Sequence, residues 1–337
     1  MRLPKFQYLA PRTSDELLSM LGEYRENAKV LAGGTDLLVS MKQRITIPEY
    51  LINLKTVGVL DYVTNANGGD GIQIGSLTSL NTIESSPLIR EHFPVLAEAA
   101  GMVASPHIRQ MATIGGNICL NTRCGFYNQS HAWRKSREAC LKLGGDVCHV
   151  VRSARRCYAL FSADTVPALM VLGAGVKVAG IGEEKIRKIE DLYTGDGKDF
   201  LSLIPEEIVT EVHIPPLPQN TGSAYVKHRV RGAIDFALIG AAAVITMEDQ
   251  SVCKLAQVAI CGATSAPLRA MEAERILTGE ELDEKRIEAA ADQASKHVKI
   301  ISNGGRPISV RYKNLLVRAL IKKAVMAAWK RAGWGDA

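Results

Sequence analysis

Two double-glycine turns constrain this chain more than any other feature. Leu31-Ala32-Gly33-Gly34-Thr35-Asp36-Leu37 sets a pair of glycines at the end of a short apolar stretch, with Thr and Asp directly after. Ala112-Thr113-Ile114-Gly115-Gly116-Asn117-Ile118 uses the same parts again further along. Glycine tolerates positive φ and lets backbone amides approach a ligand closely. Successive amides in such a turn form an anion nest. One such turn is also what an ordinary strand–turn looks like, but two suit a cofactor with a diphosphate better than one with a single phosphate. Neither turn is GxGxxG, so the Rossmann fingerprint is absent.

The chain has 337 residues, which at roughly 100–200 residues per domain predicts two or three domains. Its apolar share of 47% and charged share of 23% are ordinary globular values and exclude a disordered, collagenous or mucin-like chain. The spacing predicts a helix over Thr13–Asn27, with Thr13 and Glu16 as a capping box and Leu17, Leu18 and Leu21 as its apolar stripe. Short strands follow at Ala28–Ala32 and Tyr50–Asn53, giving a small α/β unit over about 1–57. Gly71–Leu77 alternates like a strand, Ser79–Ser85 and Pro94–Gly101 read as helices, Pro167–Lys177 as helix then strand, and Val209–Ile214 as a strand. Pro216–Gly222 reads as a linker. Beyond it, Ala237–Thr246 and Ala256–Cys261 are apolar strands, and Asp283–His297 and Val317–Ala332 amphipathic helices. The fold class is therefore α+β, with one boundary near 217.

Residues 120–158 stand apart. They hold four cysteines, eight Arg or Lys, His131 and Trp133, with little periodicity, and a loop of that length inside a compact domain is usually functional. From Cys124 the spacing is x15 to Cys140, x7 to Cys148 and x8 to Cys157. This is neither the CxxC pairing of zinc ribbons nor the ferredoxin C-x2-C-x2-C run, yet four thiolates suffice for a cubane cluster or an all-cysteine zinc site. Cys119 lies in an apolar stretch and reads as packed. His149 reads as a neighbour of the cysteines rather than a ligand. Alternation over Tyr225–Arg231 places Tyr225, Lys227 and Arg229 on one face, where a cation can meet an anionic cofactor.

Net charge is +6. Its two local concentrations are Arg152, Arg155 and Arg156, and the C-terminal Arg318, Lys322, Lys323, Lys330 and Arg331. They read as solvated surface or as a docking face for an acidic protein, not as a nucleic-acid stripe. The longest apolar run, near Phe236–Met247, is too short to span a bilayer. With no secretory signal at the start, a cytoplasmic location is expected. GxSxG, HExxH and Walker A motifs are absent, which leaves hydrolase chemistry without support.

AGGTDLL at Ala32–Leu38, ATIGGNI at Ala112–Ile118, SADTVPALM at Ser162–Met170 and the stretch Tyr225–Ala243 resemble the FAD-binding subunits of the xanthine and carbon monoxide dehydrogenase family. The resemblance implies a two-subdomain α/β FAD-binding domain of PCMH type over 1–216, split at about 57 and interrupted by the 120–158 insertion. A smaller α+β domain with an antiparallel sheet, of the flavoprotein C-terminal type, would follow over 217–337. It implies that Leu31, Ala32, Gly33, Gly34, Thr35, Asp36 and Leu37, with Thr113, Gly115, Gly116 and Asn117, hold the FAD diphosphate and its surroundings. Asp164 would contact FAD, Lys227 would lie close to the flavin, and Thr78 is a weaker candidate.

The cysteine loop is similar to the insertion in the β subunits of 4-hydroxybenzoyl-CoA reductases, which implies a [4Fe–4S] cluster on Cys124, Cys140, Cys148 and Cys157. The implied partners are a molybdopterin-binding large subunit, a [2Fe–2S] small subunit and a ferredoxin, in an (αβγ)2 heterohexamer. Electrons would pass from ferredoxin through cluster and FAD to the partners, for reductive dehydroxylation. Two alternatives remain: a molybdenum hydroxylase working in the oxidative direction, and a scaffold subunit with a four-cysteine zinc site.

Overall fold

Apolar periodicity and local capping account for most elements in the computed structural model, which describes residues 2–66, 69, 71–248, 252–302 and 308–333. Three sheets form. The first joins β1 (Gln7–Leu9), β2 (Ala28–Leu31) and β3 (Tyr50–Asn53) in the parallel order β1-β3-β2. The second joins β4 (Val63–Asn65), β5 (Ile72–Gly75), β6 (Gly175–Gly180), β7 (Glu183–Lys188) and β8 (Ile208–Ile214) in the antiparallel order β4-β5-β8-β6-β7. The third joins β9 (Thr221–His228), β10 (Ile239–Met247), β11 (Cys253–Cys261) and β12 (Leu268–Arg269), antiparallel in the order β12-β11-β10-β9. Helices accompany each sheet, so the α+β class stands.

The helix Ser14–Tyr24 starts at Thr13, whose hydroxyl accepts the Glu16 N–H at 3.2 Å. The Glu16 carboxylate reaches back to the Arg12 N–H at 2.7 Å, one residue further than the capping box drawn from sequence. Leu17 and Leu21 then join Ala28, Ile52 and Leu54 in a small core that also takes Ala179 and Ile208 from the second sheet. That contact seats the 1–57 unit on the rest of the chain.

All nine residues of β10 are buried, because both faces of its sheet are covered. Ala242 and Val244 face the core shared with the first half of the chain. Ile239, Ala241, Ala243, Ile245 and Met247 face the helices Met271–Leu277, Glu284–His297 and Val310–Arg331. A period of two thus sorts one strand between two cores. The helix Thr165–Val171, buried at every position, is wedged between the first-half helices and this sheet.

The structure differs from the sequence reading in places. The final helix begins at Val310, seven residues early, because the Ser309 hydroxyl caps it by accepting the Tyr312 N–H at 3.1 Å. The 216–222 linker is shortened by β9, which starts at Thr221. The strands β1, β4 and β7 carry too little apolar alternation to show in sequence. The C-terminal basic concentration is largely paired: Arg318 and Lys322 pair with Glu288, and Arg331 with Glu98, while Lys323 is exposed. Among the described residues no helix is long and apolar enough to cross a membrane.

Leu169 is fully buried in the wedge helix. Leu169→Ala is expected to lower stability by about 2–5 kcal/mol, the range for a truncated core leucine, read as a lower thermal unfolding midpoint with unchanged far-UV circular dichroism below it.

Candidate functional site

The two glycine turns, far apart in sequence, are built against each other. A Cβ on Gly33 would lie 2.0 Å from the Met111 carbonyl oxygen, directly before the second turn. One on Gly115 would lie 2.8 Å from Ser76 Cβ, and the Gly115 N–H donates to the Ser76 carbonyl at 2.9 Å. Only glycine fits at either position. The second turn begins the short helix Ile114–Ile118, where the Thr113 hydroxyl accepts the Gly116 N–H at 3.2 Å. Leu31, Ala32, Gly33, Gly34, Thr35, Asp36 and Leu37 are all partly exposed. The backbone N–H groups from Gly33 to Leu37 have no protein acceptor among the described residues. A run of free donors in a tight turn is the chemistry of an anion nest. The buried Ser76 hydroxyl also lacks a partner.

Beside this cradle lies a seam between the two halves of the chain. Asp164, at the start of the wedge helix, is buried. It accepts the Tyr225 hydroxyl at 2.6 Å and the Lys227 ammonium at 2.8 Å. The side chains of Lys227 and Asp164 are only 1% and 4% exposed, so both charges depend on this pair. Lys227 also donates to the Met102 carbonyl at 3.0 Å, and Arg229 does so at 3.4 Å. The shared face read for Tyr225, Lys227 and Arg229 is present. Burial pushes the Asp164 carboxyl above its ordinary range, with Lys227 and Tyr225 opposing the rise. Next to it, the Thr165 hydroxyl donates to Asn117 Oδ1 at 2.7 Å, which ties the second turn to the seam.

Two further sequence-derived positions, Thr78 and Asp36, also have their polar atoms occupied by protein. The Thr78 hydroxyl donates to the Tyr62 carbonyl at 2.8 Å and accepts the Tyr62 N–H at 3.1 Å. The Asp36 carboxylate pairs with Arg123. The others surround the cradle or the seam.

The cysteine segment is mostly irregular, with one short helix, His131–Lys135. Two backbone bridges fold it. Arg123 and Leu160 exchange both hydrogen bonds at 2.7 Å, bringing Cys124 and Cys157 together. Cys140 and Val147 form a parallel bridge around a turn with Gly144 at φ +84°, bringing Cys140 to Cys148. All four cysteines line one small cleft, with Phe126, Tyr127, Lys142 and His149. Cys124 and Cys157 each accept a backbone N–H two residues on, at 3.4 Å. Burial pushes the Cys157 thiol up to about 11 and raises Cys124 as well. Among the described residues, no three His, Cys, Asp or Glu side chains converge tightly enough to hold one ion.

His149 Nε2 donates to the Glu138 carbonyl at 2.9 Å and the ring lies against Phe126, in keeping with a neighbouring role. Cys119 is packed away from the cleft, its thiol pushed up to about 12 by burial. The sequence reading passed over Lys142, which donates to Asn121 Oδ1 and the Gly197 carbonyl, each at 2.6 Å, on the edge of the cleft. Its only signal was a lysine two positions after Cys140. Arg123 was passed over too, although it directly precedes Cys124.

Residues 4–217 match the family described as "FAD binding domain in molybdopterin dehydrogenase", and residues 224–328 match "CO dehydrogenase flavoprotein C-terminal domain". The chain is 29% identical over 332 residues to the carbon monoxide dehydrogenase medium chain of Hydrogenophaga pseudoflava, covering 97% of this chain and 98% of that one. It is 31% identical over 251 residues to the aldehyde oxidoreductase FAD-binding subunit PaoB of Escherichia coli strain K12, covering 72% and 76%. A solved carbon monoxide dehydrogenase from Hydrogenophaga pseudoflava superposes with a TM-score of 0.80 at 26% identity, over 98% of this chain and 99% of that one.

Gly33→Ala is expected to push the first turn off the Met111 carbonyl. The purified protein should then lose most of its bound flavin, measured by absorbance after denaturation, while its far-UV circular dichroism stays unchanged.

Proposed function

The chain belongs to the FAD-binding family of the molybdopterin dehydrogenases, and on that premise we propose that it is the electron-transfer subunit of a molybdenum hydroxylase complex. Its partners are a molybdopterin-binding large subunit and a [2Fe–2S] small subunit. The observation that carries the reading is the glycine cradle, closed to a Cβ at Gly33 and Gly115 and lined by free N–H groups. When bound, FAD supplies one- and two-electron redox chemistry. Gly33 to Leu37 would donate their N–H groups to its diphosphate and the exposed Gly116 would leave room for it, while Gly115, packed on Ser76, and Thr113 and Asn117 hold the second turn in shape. Lys227 and Asp164 fix the seam that would flank the flavin. The substrate is held on the partner chain, so the chain carries no catalytic residue. The division at 216/217 belongs to the same reading.

The relatives support the oxidative direction. They include a nicotine 6-hydroxylase medium subunit of Paenarthrobacter nicotinovorans and a xanthine dehydrogenase FAD-binding subunit of Escherichia coli O157:H7. A complex of that kind oxidises its substrate and passes electrons outward through this subunit.

A second reading rests on the cysteine cleft: Cys124, Cys140, Cys148 and Cys157 bind a [4Fe–4S] cluster, as in a 4-hydroxybenzoyl-CoA reductase. Four thiols around one cleft supply the donor set of a cubane cluster, as they would of an all-cysteine zinc site. Two N–H donors to sulfur and the Lys142 ammonium offset the negative charge of thiolate ligation. Such a cluster supplies one-electron chemistry. In that case ferredoxin donates the electrons, the complex works reductively, and an (αβγ)2 assembly follows. Residues 120–158 carry eight Arg or Lys against Glu138 and Asp146, an excess equal to the +6 of the whole chain. Arg152, Arg155 and Arg156 are exposed on this segment, which suits an acidic donor.

Anaerobic purification followed by iron, zinc and flavin analysis separates these readings. One FAD with about four irons supports the cluster; FAD alone leaves the oxidative flavin subunit; zinc with no flavin overturns both. If iron is present, serine at any one of Cys124, Cys140, Cys148 or Cys157 should lower it sharply, whereas Cys119→Ser keeps it. Reversing the charge of Arg152, Arg155 and Arg156 together is expected to raise the KM for ferredoxin roughly ten-fold at low salt and to flatten the salt dependence. An unchanged salt dependence excludes that docking face.

A further inference from the structure

Arg123 occupies a place that neither half of the site explains. Its backbone is fixed on both sides by Leu160, and its Cα neighbour Cys124 lines the cysteine cleft. Its guanidinium leaves that loop and pairs with the Asp36 carboxylate of the first glycine turn. The same guanidinium lies over the Phe236 ring, 4.6 Å from its centroid, on the segment leading into β10. Its side chain is 18% exposed, and its Nε is buried without a partner. One rigid, planar cation therefore touches the cofactor turn, the cysteine loop and the C-terminal unit. Both ends it joins are built from irregular backbone, so neither is held by a ladder of its own.

From this geometry we propose that Arg123 is a positioning residue that couples the two sites: metal held by the cysteine loop tightens flavin binding at the glycine turn, and the reverse. The inference rests on the cluster reading above. Metal on Cys124 and Cys157 would brace the Arg123–Leu160 bridge that lies between them, so that the guanidinium keeps its hold on Asp36 and the run Gly33–Leu37 stays in its binding shape before FAD arrives. Order contributed by one ligand is order the other does not have to impose. Coupling between binding sites is reciprocal. Lysine in place of Arg123 keeps the charge but loses the flat stacking on Phe236 and the forked donor set.

The test uses the full chain, iron-loaded and iron-stripped by chelator, with FAD as the probe. The Kd is read from quenching of flavin fluorescence. In the unaltered chain, stripping iron is expected to weaken FAD binding about ten-fold, within the usual span of coupling between sites. In Arg123→Met, loaded and stripped protein should bind FAD equally, both near the weaker value, and Arg123→Lys should fall between. The rate at which chelator removes iron should fall when FAD is present, in the unaltered chain only. A ratio of one in the unaltered chain, or an undiminished ratio in Arg123→Met, overturns the proposal. Should Arg123→Met fail to fold, an undiminished ratio in Arg123→Lys does so. Protein that purifies with FAD but without iron overturns the cluster reading and this coupling together. Iron present with a ratio of one overturns the coupling alone.

Discussion

A buried carboxylate holds the two halves of this molecule in register. Asp164 belongs to the first half, while Tyr225 and Lys227 belong to the first strand of the second. Removing either charge would strand the other inside a dry seam, and breaking such a pair by deleting one partner typically costs about 3–5 kcal/mol. The seam therefore admits one relative placement of the wedge helix and β9. Around it the packing follows: Gly240 of β10 leaves room for the Tyr225 hydroxyl, since a Cβ there would lie 2.3 Å from it. Asn117, reaching Thr165, carries the same constraint to the second glycine turn.

The cofactor cradle is in this sense a by-product of close backbone approach. Gly33 touches the chain before the second turn, and Gly115 touches Ser76 at the end of β5. Each contact lies between segments far apart in sequence, and each is possible only because a side chain is missing. What remains is a row of N–H groups aimed away from protein acceptors, which is what an anionic ligand needs and what a stable turn otherwise avoids.

The cysteine segment follows another logic. It has almost no regular structure to hold it, and relies on two backbone bridges, the half-buried Lys142 and the Arg123 link to Asp36. The chain's net charge is concentrated there, while Arg318 and Lys322 of the last helix are paired with acidic partners on the neighbouring helix. Charge counting along the sequence could not separate these two cases, because pairing between helices is decided by which faces meet.

Local signals carried a good part of the fold. The helix Pro94–Gly101 and the strand Tyr50–Asn53 form where their spacing says, because a proline at the first turn and β-branched or aromatic neighbours act over a few residues. The two glycine turns, the four-cysteine set and the alternating Tyr225, Lys227 and Arg229 were likewise visible as patterns. By itself the sequence determined these elements and the chemical types present, since both depend on neighbours within a few positions. The tertiary structure alone decided that Gly33 meets Met111, that Asp164 receives Lys227, that Thr78 is occupied by Tyr62 and that Arg123 reaches Asp36. Those contacts join distant segments, and their energy comes from burial and pairing that no local pattern encodes.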